Sequence, residues 1–226
     1  MMAVKATVKK PINYCYNPFF HKDGKLDCIE TWQVLEDELL GTLYPWQYSS
    51  SAQLSKRIET LNFIALTNFQ DDSARFPQVR FVYKVSARLL TEENIQRLSS
   101  FITPQLILCF DLFQLEKLGE KNAMVGLNFL RRHGATIMLE GISRAPIEVV
   151  TKYPANMFLL DYRFYNQANI GVLAMIKQLA DNKKIDIVVS DVVNAELLQA
   201  FYDAKIDIYG GSAIEKPKKR IESIVK

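Results

Sequence analysis

The sequence predicts an α/β protein that folds as a closed barrel of strands and helices. Two observations favour this fold class. From about residue 78, short β-branched or aromatic runs alternate with longer amphipathic stretches, which is typical of strand and helix units around a parallel sheet. Before them, two candidate strands are joined through Lys22-Asp23-Gly24-Lys25, where Asp-Gly favours a tight hairpin turn. An open doubly wound sheet is the alternative, but no strand precedes a glycine-rich phosphate loop.

The elements follow in order along the chain. The hairpin occupies residues 16–35, a connector rich in tyrosine, proline and serine covers 44–51, and a first helix is expected from about 52 to 69. Six candidate strands share an apolar run bounded by turn or polar residues: 79–86, 106–113, 136–140, 157–164, 185–191 and 206–209. Five candidate helices lie between them: 91–102, 116–133, 146–153, 168–183 and 195–205. The basic run 216–220 is expected to form a solvated last helix.

Composition excludes several classes of protein. At 226 residues, 49% of them hydrophobic, the chain fits one domain over 1–226, with 1–10 as a flexible arm. The net charge of +3 comes largely from the two ends of the chain and does not indicate nucleic-acid binding. Three cysteines without a CxxC pair argue against a disulfide framework and favour a cytoplasmic protein. No apolar run reaches the roughly 18 residues of a membrane span.

Glu140 is a candidate functional residue in its own right. It ends the apolar run 136–140 and is followed at once by the turn former Gly141. An acid at the end of a buried strand is where an α/β enzyme often keeps a metal ligand or a general base. The chain has only two histidines, so a metal ion here would need carboxylates, amides and water as ligands.

Seven segments, in order, carry a resemblance to a known family. They are YNPFFHKDGKLDCIETWQVL, FVYKVSARLL, QLILCFDLF, GATIMLEGISR, LLDYRFYN, VVSDVVNA and GGSAIEKP. Their order and spacing, from about Tyr14 to Pro217, resemble the EAL domain of bacterial cyclic di-GMP phosphodiesterases. The resemblance implies a modified TIM (β/α)8-type barrel, EAL-type, whose first strand runs antiparallel to its neighbours.

The same resemblance identifies the positions that hold the active site in the family. In this chain they are occupied by Glu30, Lys84, Cys109, Glu140, Gly141, Leu159, Asp161 and Asp191. Lys84 stands at a metal-binding asparagine, Cys109 at a metal-binding glutamate and Gly141 at the second of two aspartates. A cation repels Mg²⁺, and a soft sulfur suits Mg²⁺ or Mn²⁺ poorly. Leu159 stands at a lysine whose charge no apolar side chain replaces. We therefore expect vestigial positions and no bound cofactor, with Mg²⁺ or Mn²⁺ only if the site is functional.

The remaining acids need a counter-charge if they lie inside a barrel mouth. We expect the Lys84 ammonium to occupy the family's cation position and to neutralise Glu30, together with Glu140 or Asp161. The alternative is that these acids are solvated at the rim. Asp111 and Asp191 are candidates for a second acidic site, but a single acid at a strand end is more often solvated.

The expected function is that of a catalytically inactive regulatory domain in bacterial signalling that binds another protein. A cyclic di-GMP sensor without hydrolysis is the alternative, and an active phosphodiesterase is a third. Val34 stands where the family has a phosphate-binding arginine, which makes cyclic di-GMP binding doubtful. Glu215 and Pro217, in the last of the matching segments, retain the sensor as an alternative. The aromatic residues of the connector are either a partner surface or packing over the barrel end: Tyr44, Trp46 and Tyr48.

Overall fold

The computed structural model of the protein describes residues 12–37, 41–44, 57–160 and 170–225. The strands in these ranges are β1 (Ile12–His21), β2 (Leu26–Asp37), β3 (Gly41–Leu43), β4 (Arg80–Lys84), β5 (Leu106–Asp111), β6 (Thr136–Glu140), β7 (Met157–Leu160), β8 (Asp186–Val189) and β9 (Ile208–Tyr209). The helices are α1 (Ile58–Arg75), α2 (Glu92–Ser99), α3 (Leu112–Leu118), α4 (Glu120–Arg132), α5 (Ile147–Lys152), α6 (Ile170–Lys183) and α7 (Ala195–Asp203). Three 3₁₀ turns cover Ala87–Leu90, Ile142–Arg144 and Ile221–Ser223.

Eight of these strands close a barrel, as the sequence predicted. β1 pairs antiparallel with β2 on one side and with β9 on the other. β2 and the strands from β4 to β9 run parallel, each beside the next in chain order. β3 stands outside this circle and pairs with the far end of β2. The antiparallel first strand is therefore confirmed, and all parallel strands present their carboxyl ends at one mouth.

The barrel interior is filled by its own apolar side chains. One buried cluster lines the inside and consists of Phe19, Cys28, Val82, Ile107, Cys109, Met138, Met157, Leu159, Val188 and Ile208. A second, larger cluster packs the outer face of the strands against the helices. Because side chains alternate between the two faces of a strand, a residue two positions after an interior one also points inward. This spacing puts three charged side chains at the mouth, after Cys28, Val82 and Met138 respectively: Glu30, Lys84 and Glu140.

Two predicted helices differ from those in the structure. The predicted helix 116–133 is two helices, α3 and α4, because Gly119 adopts φ +92° and interrupts the helical backbone. The first helix continues beyond the predicted end at Phe69 to Arg75. Within this extension Asp72 is buried and accepts a hydrogen bond from Tyr16 of β1, which joins the end of the helix to the barrel.

The basic run 216–220 is not a helix, contrary to the prediction. Lys218 instead forms an isolated antiparallel bridge with Tyr16, with N–H···O distances of 2.8 Å in both directions. β9 pairs with β1 only at Phe20 and His21, which leaves the upstream edge of β1 to be hydrogen-bonded by another segment. The C-terminal segment satisfies that edge.

Candidate functional site

The Lys84 side chain lies between two carboxylates at the barrel mouth. Its Nζ is 2.9 Å from Oε1 of Glu30 and 2.8 Å from Oε2 of Glu140. The Glu30 side chain is 1% exposed and that of Glu140 is 23% exposed, whereas 40% of the Lys84 side chain reaches water. Asn17, directly across from Glu30 on β1, donates from Nδ2 to Glu30 Oε2 at 3.2 Å. The predicted pairing of Lys84 with Glu30 is confirmed, and Glu140 is the second carboxylate, one of the two alternatives that the sequence left open.

The chain after β4 holds Lys84 in this place. Ser86 ends the extended segment, its N–H donates to Asn62 Oδ1 of α1, and its hydroxyl caps the turn Ala87–Leu90. Leu90 of that turn packs directly on α4, where a Cβ built on Gly126 would come within 2.7 Å of the Leu90 Cβ. Only a glycine allows this approach. The strand end that carries Lys84 is thus anchored to two helices.

The electrostatic balance of the site keeps Lys84 charged. Partial removal from water lowers the pKa of the ammonium, but the negative charges of Glu140 and Glu30 outweigh this effect and hold the pKa well above its ordinary value. At neutral pH the group is therefore a fixed cation. It supplies the counter-charge that the buried Glu30 requires.

Cys109 and Leu159 belong to the apolar interior. Both side chains are almost fully buried, at 1% and 2% exposed. Burial raises the pKa of the Cys109 thiol well above its usual range, so the sulfur is protonated at neutral pH. A buried, protonated thiol and a leucine contribute packing to this end of the barrel, where the family pattern has a carboxylate and a lysine.

A second cation lies beside Gly141. The Arg144 guanidinium donates from Nη2 to Asp111 Oδ2 at 2.6 Å, and Asp111 also caps α3 by accepting from the Gln114 N–H. Gly141 adopts φ +80°, and a Cβ at this position would lie 3.1 Å from Arg144 Nη2. Sequence reasoning did not identify Arg144. The only signal was a basic residue three positions after Gly141, and its pairing with a neighbouring strand depends on barrel closure.

The other predicted positions are less informative. Asp191 follows β8 with φ +59° and accepts a hydrogen bond from Ser190 Oγ at 3.1 Å. The Tyr44 ring packs edge to face on Trp32, with centroids 6.0 Å apart. Asp161, Trp46 and Tyr48 lie outside the described residues.

In the ranges that the structure covers, no three His, Cys, Asp or Glu side chains come together as a group able to hold a metal ion. Glu30 and Glu140 are paired with Lys84, and Asp111 is paired with Arg144. None of the helices in the described part of the chain combines the length and the apolarity that crossing a membrane requires.

Comparison with known proteins identifies one family. Residues 3–217 match the EAL domain. Among solved structures, an EAL domain protein from Listeria monocytogenes EGD-e is similar, with a TM-score of 0.80, 13% identity, and coverage of 94% of this chain and 90% of that one. The PaMucR phosphodiesterase in a cyclic di-GMP complex has a TM-score of 0.80, 16% identity, and coverage of 95% and 94%.

The EAL domain of FimX from Pseudomonas aeruginosa, bound to cyclic di-GMP, is a third similar structure. Its TM-score is 0.77 at 14% identity, and the alignment covers 93% of this chain and 92% of that one. At such identities the likeness establishes the shared barrel fold. The curated proteins contain no match to this sequence.

Replacing Lys84 by methionine is expected to destabilise the protein by about 2 kcal/mol at neutral pH, because Glu30 then stays buried without a cation. The loss is below the roughly 3–5 kcal/mol of a fully buried pair, since water reaches Lys84 and screens the charges. Urea denaturation measures the free energy of unfolding. Lys177→Met is the control; it breaks a surface ion pair with Asp181 and should cost about 0.5 kcal/mol or less.

The pH dependence of this difference follows from the raised pKa of Lys84. A cation whose pKa is higher in the folded state stabilises fully below the pKa of unfolded lysine, about 10.4, and loses its contribution only as the pH rises through the folded value. The difference in the free energy of unfolding between wild type and Lys84→Met should therefore be the same at about pH 7 and at about pH 9. A difference that vanishes by about pH 9, or one no larger than that of Lys177→Met, would contradict the ion-pair role.

Proposed function

The chain belongs to the EAL domain family, and on that premise we propose that it is a catalytically inactive member that regulates bacterial signalling by binding another protein. A single observation carries the first half of this proposal. The Lys84 ammonium bridges Glu30 and Glu140, the two carboxylates that a divalent cation would need. A fixed positive charge within 3 Å of both oxygens repels a second cation from the same place.

The rest of the donor set does not fit a metal ion either. Cys109 offers a buried, protonated sulfur in an apolar cluster, and Gly141 offers no side chain. Hydrolysis of a phosphodiester in this family uses divalent cations to activate a water and to clamp the phosphate. Residues that exclude divalent cations remove both the activation of the water and the clamping of the phosphate. The buried Leu159 provides no charge that could replace the cations. We therefore assign no cofactor and no catalytic residue to this chain.

Exposed apolar residues at the mouth support the second half of the proposal. Phe113, at the first turn of α3, is 72% exposed, and Val193, after β8, is 58% exposed. Both lie just after the carboxyl ends of barrel strands, at the same end of the barrel as Lys84 and Glu140, which are the last residues of β4 and β6. Large apolar side chains held in water next to paired charges are typical of protein-binding surfaces.

A sensor that binds cyclic di-GMP without hydrolysis is the second candidate. The solved structures of PaMucR and FimX contain this nucleotide, and Arg144 provides a half-exposed guanidinium at the mouth that could meet a phosphate. Two features oppose it. Arg144 is already paired with Asp111, and Val34, at the position of the family's phosphate-binding arginine, is 3% exposed.

Isothermal titration with cyclic di-GMP separates these candidates. We expect no heat of binding up to the millimolar range in Mg²⁺ or in Mn²⁺, and no hydrolysis product after prolonged incubation, because Lys84 occupies the place between Glu30 and Glu140 and Arg144 is already paired with Asp111. Micromolar binding without turnover would replace the proposal by the sensor. Turnover would contradict both.

Photo-crosslinking tests the protein-binding role directly. A photoreactive amino acid at Phe113 should yield a discrete adduct with one protein in the cells that express this chain, because the side chain lies at the proposed surface. The same amino acid at Val125 is the control, since Val125 is 64% exposed on the outer helix α4. Equal adducts at both positions, or none at Phe113, would contradict a partner surface at the mouth.

A further inference from the structure

A cavity of about 490 Å³ opens to solvent on the outside of the barrel, between α1, β1 and the C-terminal segment. Tyr16 lines it from β1 and belongs to the outer apolar cluster. The next residue, Asn17, hydrogen-bonds Glu30 inside the barrel, and successive side chains on a strand point to opposite faces. The cavity is thus on the other side of the sheet from the charged mouth and independent of it.

A buried carboxylate forms one wall of the cavity. Asp72 is 3% exposed, and its Oδ2 accepts hydrogen bonds from Tyr16 Oη at 3.0 Å and from Asn68 Nδ2 at 2.8 Å. Both bonds go to Oδ2, and no described residue donates a hydrogen bond to Oδ1, which can therefore accept one from a ligand. Burial raises the pKa of Asp72 because it disfavours the ionised form. A positive group that reaches Oδ1 would offset this effect by stabilising the ionised form.

Three cations surround the opening of the same cavity. Lys219 and Arg220 are exposed side chains of the C-terminal segment, and Arg75 comes from the last turn of α1. One acid, Glu222, stands among them and pairs with Arg75. The opening therefore carries two positive charges in excess of its acids. Guanidinium groups donate in a planar fork that matches phosphate oxygens.

We propose that this cavity binds a small organic phosphate that also carries an amino group. The phosphate contacts Lys219 and Arg220 and competes with Glu222 for Arg75. The ammonium of the same molecule reaches Asp72 Oδ1 at the inner wall. Each half of the ligand meets a group of opposite charge, and neither half alone satisfies both ends of the cavity. A free metabolite and a lipid headgroup share this chemistry. The ligand is the free metabolite, because the carboxylate lies at the inner wall of a cavity.

Phosphoethanolamine is the probe, followed by isothermal titration of the full chain. We expect it to bind at least about tenfold more tightly than inorganic phosphate or ethanolamine alone, because only the intact molecule uses both ends. The double variant Lys219→Gln, Arg220→Gln should weaken binding by about tenfold or more. Glu222→Gln should strengthen it several-fold, since the variant frees Arg75 and removes the competing carboxylate.

Lys177→Gln, on the distant helix α6, is the control and should leave the affinity unchanged. All four substituted side chains lie at the surface, and thermal unfolding checks that each variant folds. The absence of binding by both the wild type and Glu222→Gln would overturn the proposal, as would affinities that do not respond to the charge changes. Binding to vesicles of phosphatidylethanolamine without binding to soluble phosphoethanolamine would overturn it as well. The proposed function at the mouth does not depend on any of these results.

Discussion

A carboxylate that is 1% exposed needs a positive partner, and the pairing of Glu30 with Lys84 meets this requirement. The constraint comes from the fold itself. Closure of the barrel fills the interior with apolar side chains up to Cys28 on β2, and the alternation of the strand turns Glu30 inward two residues later. Water does not reach this position, so the neutralising charge must come from a neighbouring strand. β4 supplies it, since Glu30 and Val82 are register partners and Lys84 points inward two residues beyond Val82.

The surrounding structure is arranged so that this ion pair holds. The turn after Lys84 is fixed by Asn62 of α1 and by the close contact of Leu90 with Gly126. The neighbouring strand β5 presents Cys109, which extends the apolar interior toward the mouth. On the far side of Glu140, the Arg144 and Asp111 pair covers Gly141. Among the described residues of the mouth, the carboxylates of Glu30, Glu140 and Asp111 are each paired with a cation of this chain, which leaves them poorly suited to hold metal ions.

Much of this arrangement follows from sequence patterns that act over short distances. The strand 136–140 was predicted with its observed bounds, because an apolar run between Gly134 and Gly141 is a local signal. The pairing of Lys84 with Glu30 followed from family positions and the need for a counter-charge, whereas the sequence left Glu140 and Asp161 as alternatives for the second carboxylate. The features that were missed depend on contacts distant in sequence. Lys218 pairs with the edge of β1, Asp72 accepts a hydrogen bond from Tyr16, and Arg144 pairs with Asp111. Each of these contacts depends on closure of the barrel.

We propose that the Lys84 ammonium takes the place of a metal ion at this mouth. A crystal structure determined in the presence of Mn²⁺, with anomalous diffraction data, tests it most directly. We expect the Lys84 ammonium between Glu30 and Glu140, with no anomalous peak at that position. An anomalous peak between the two carboxylates, with Lys84 turned away, would contradict the claim.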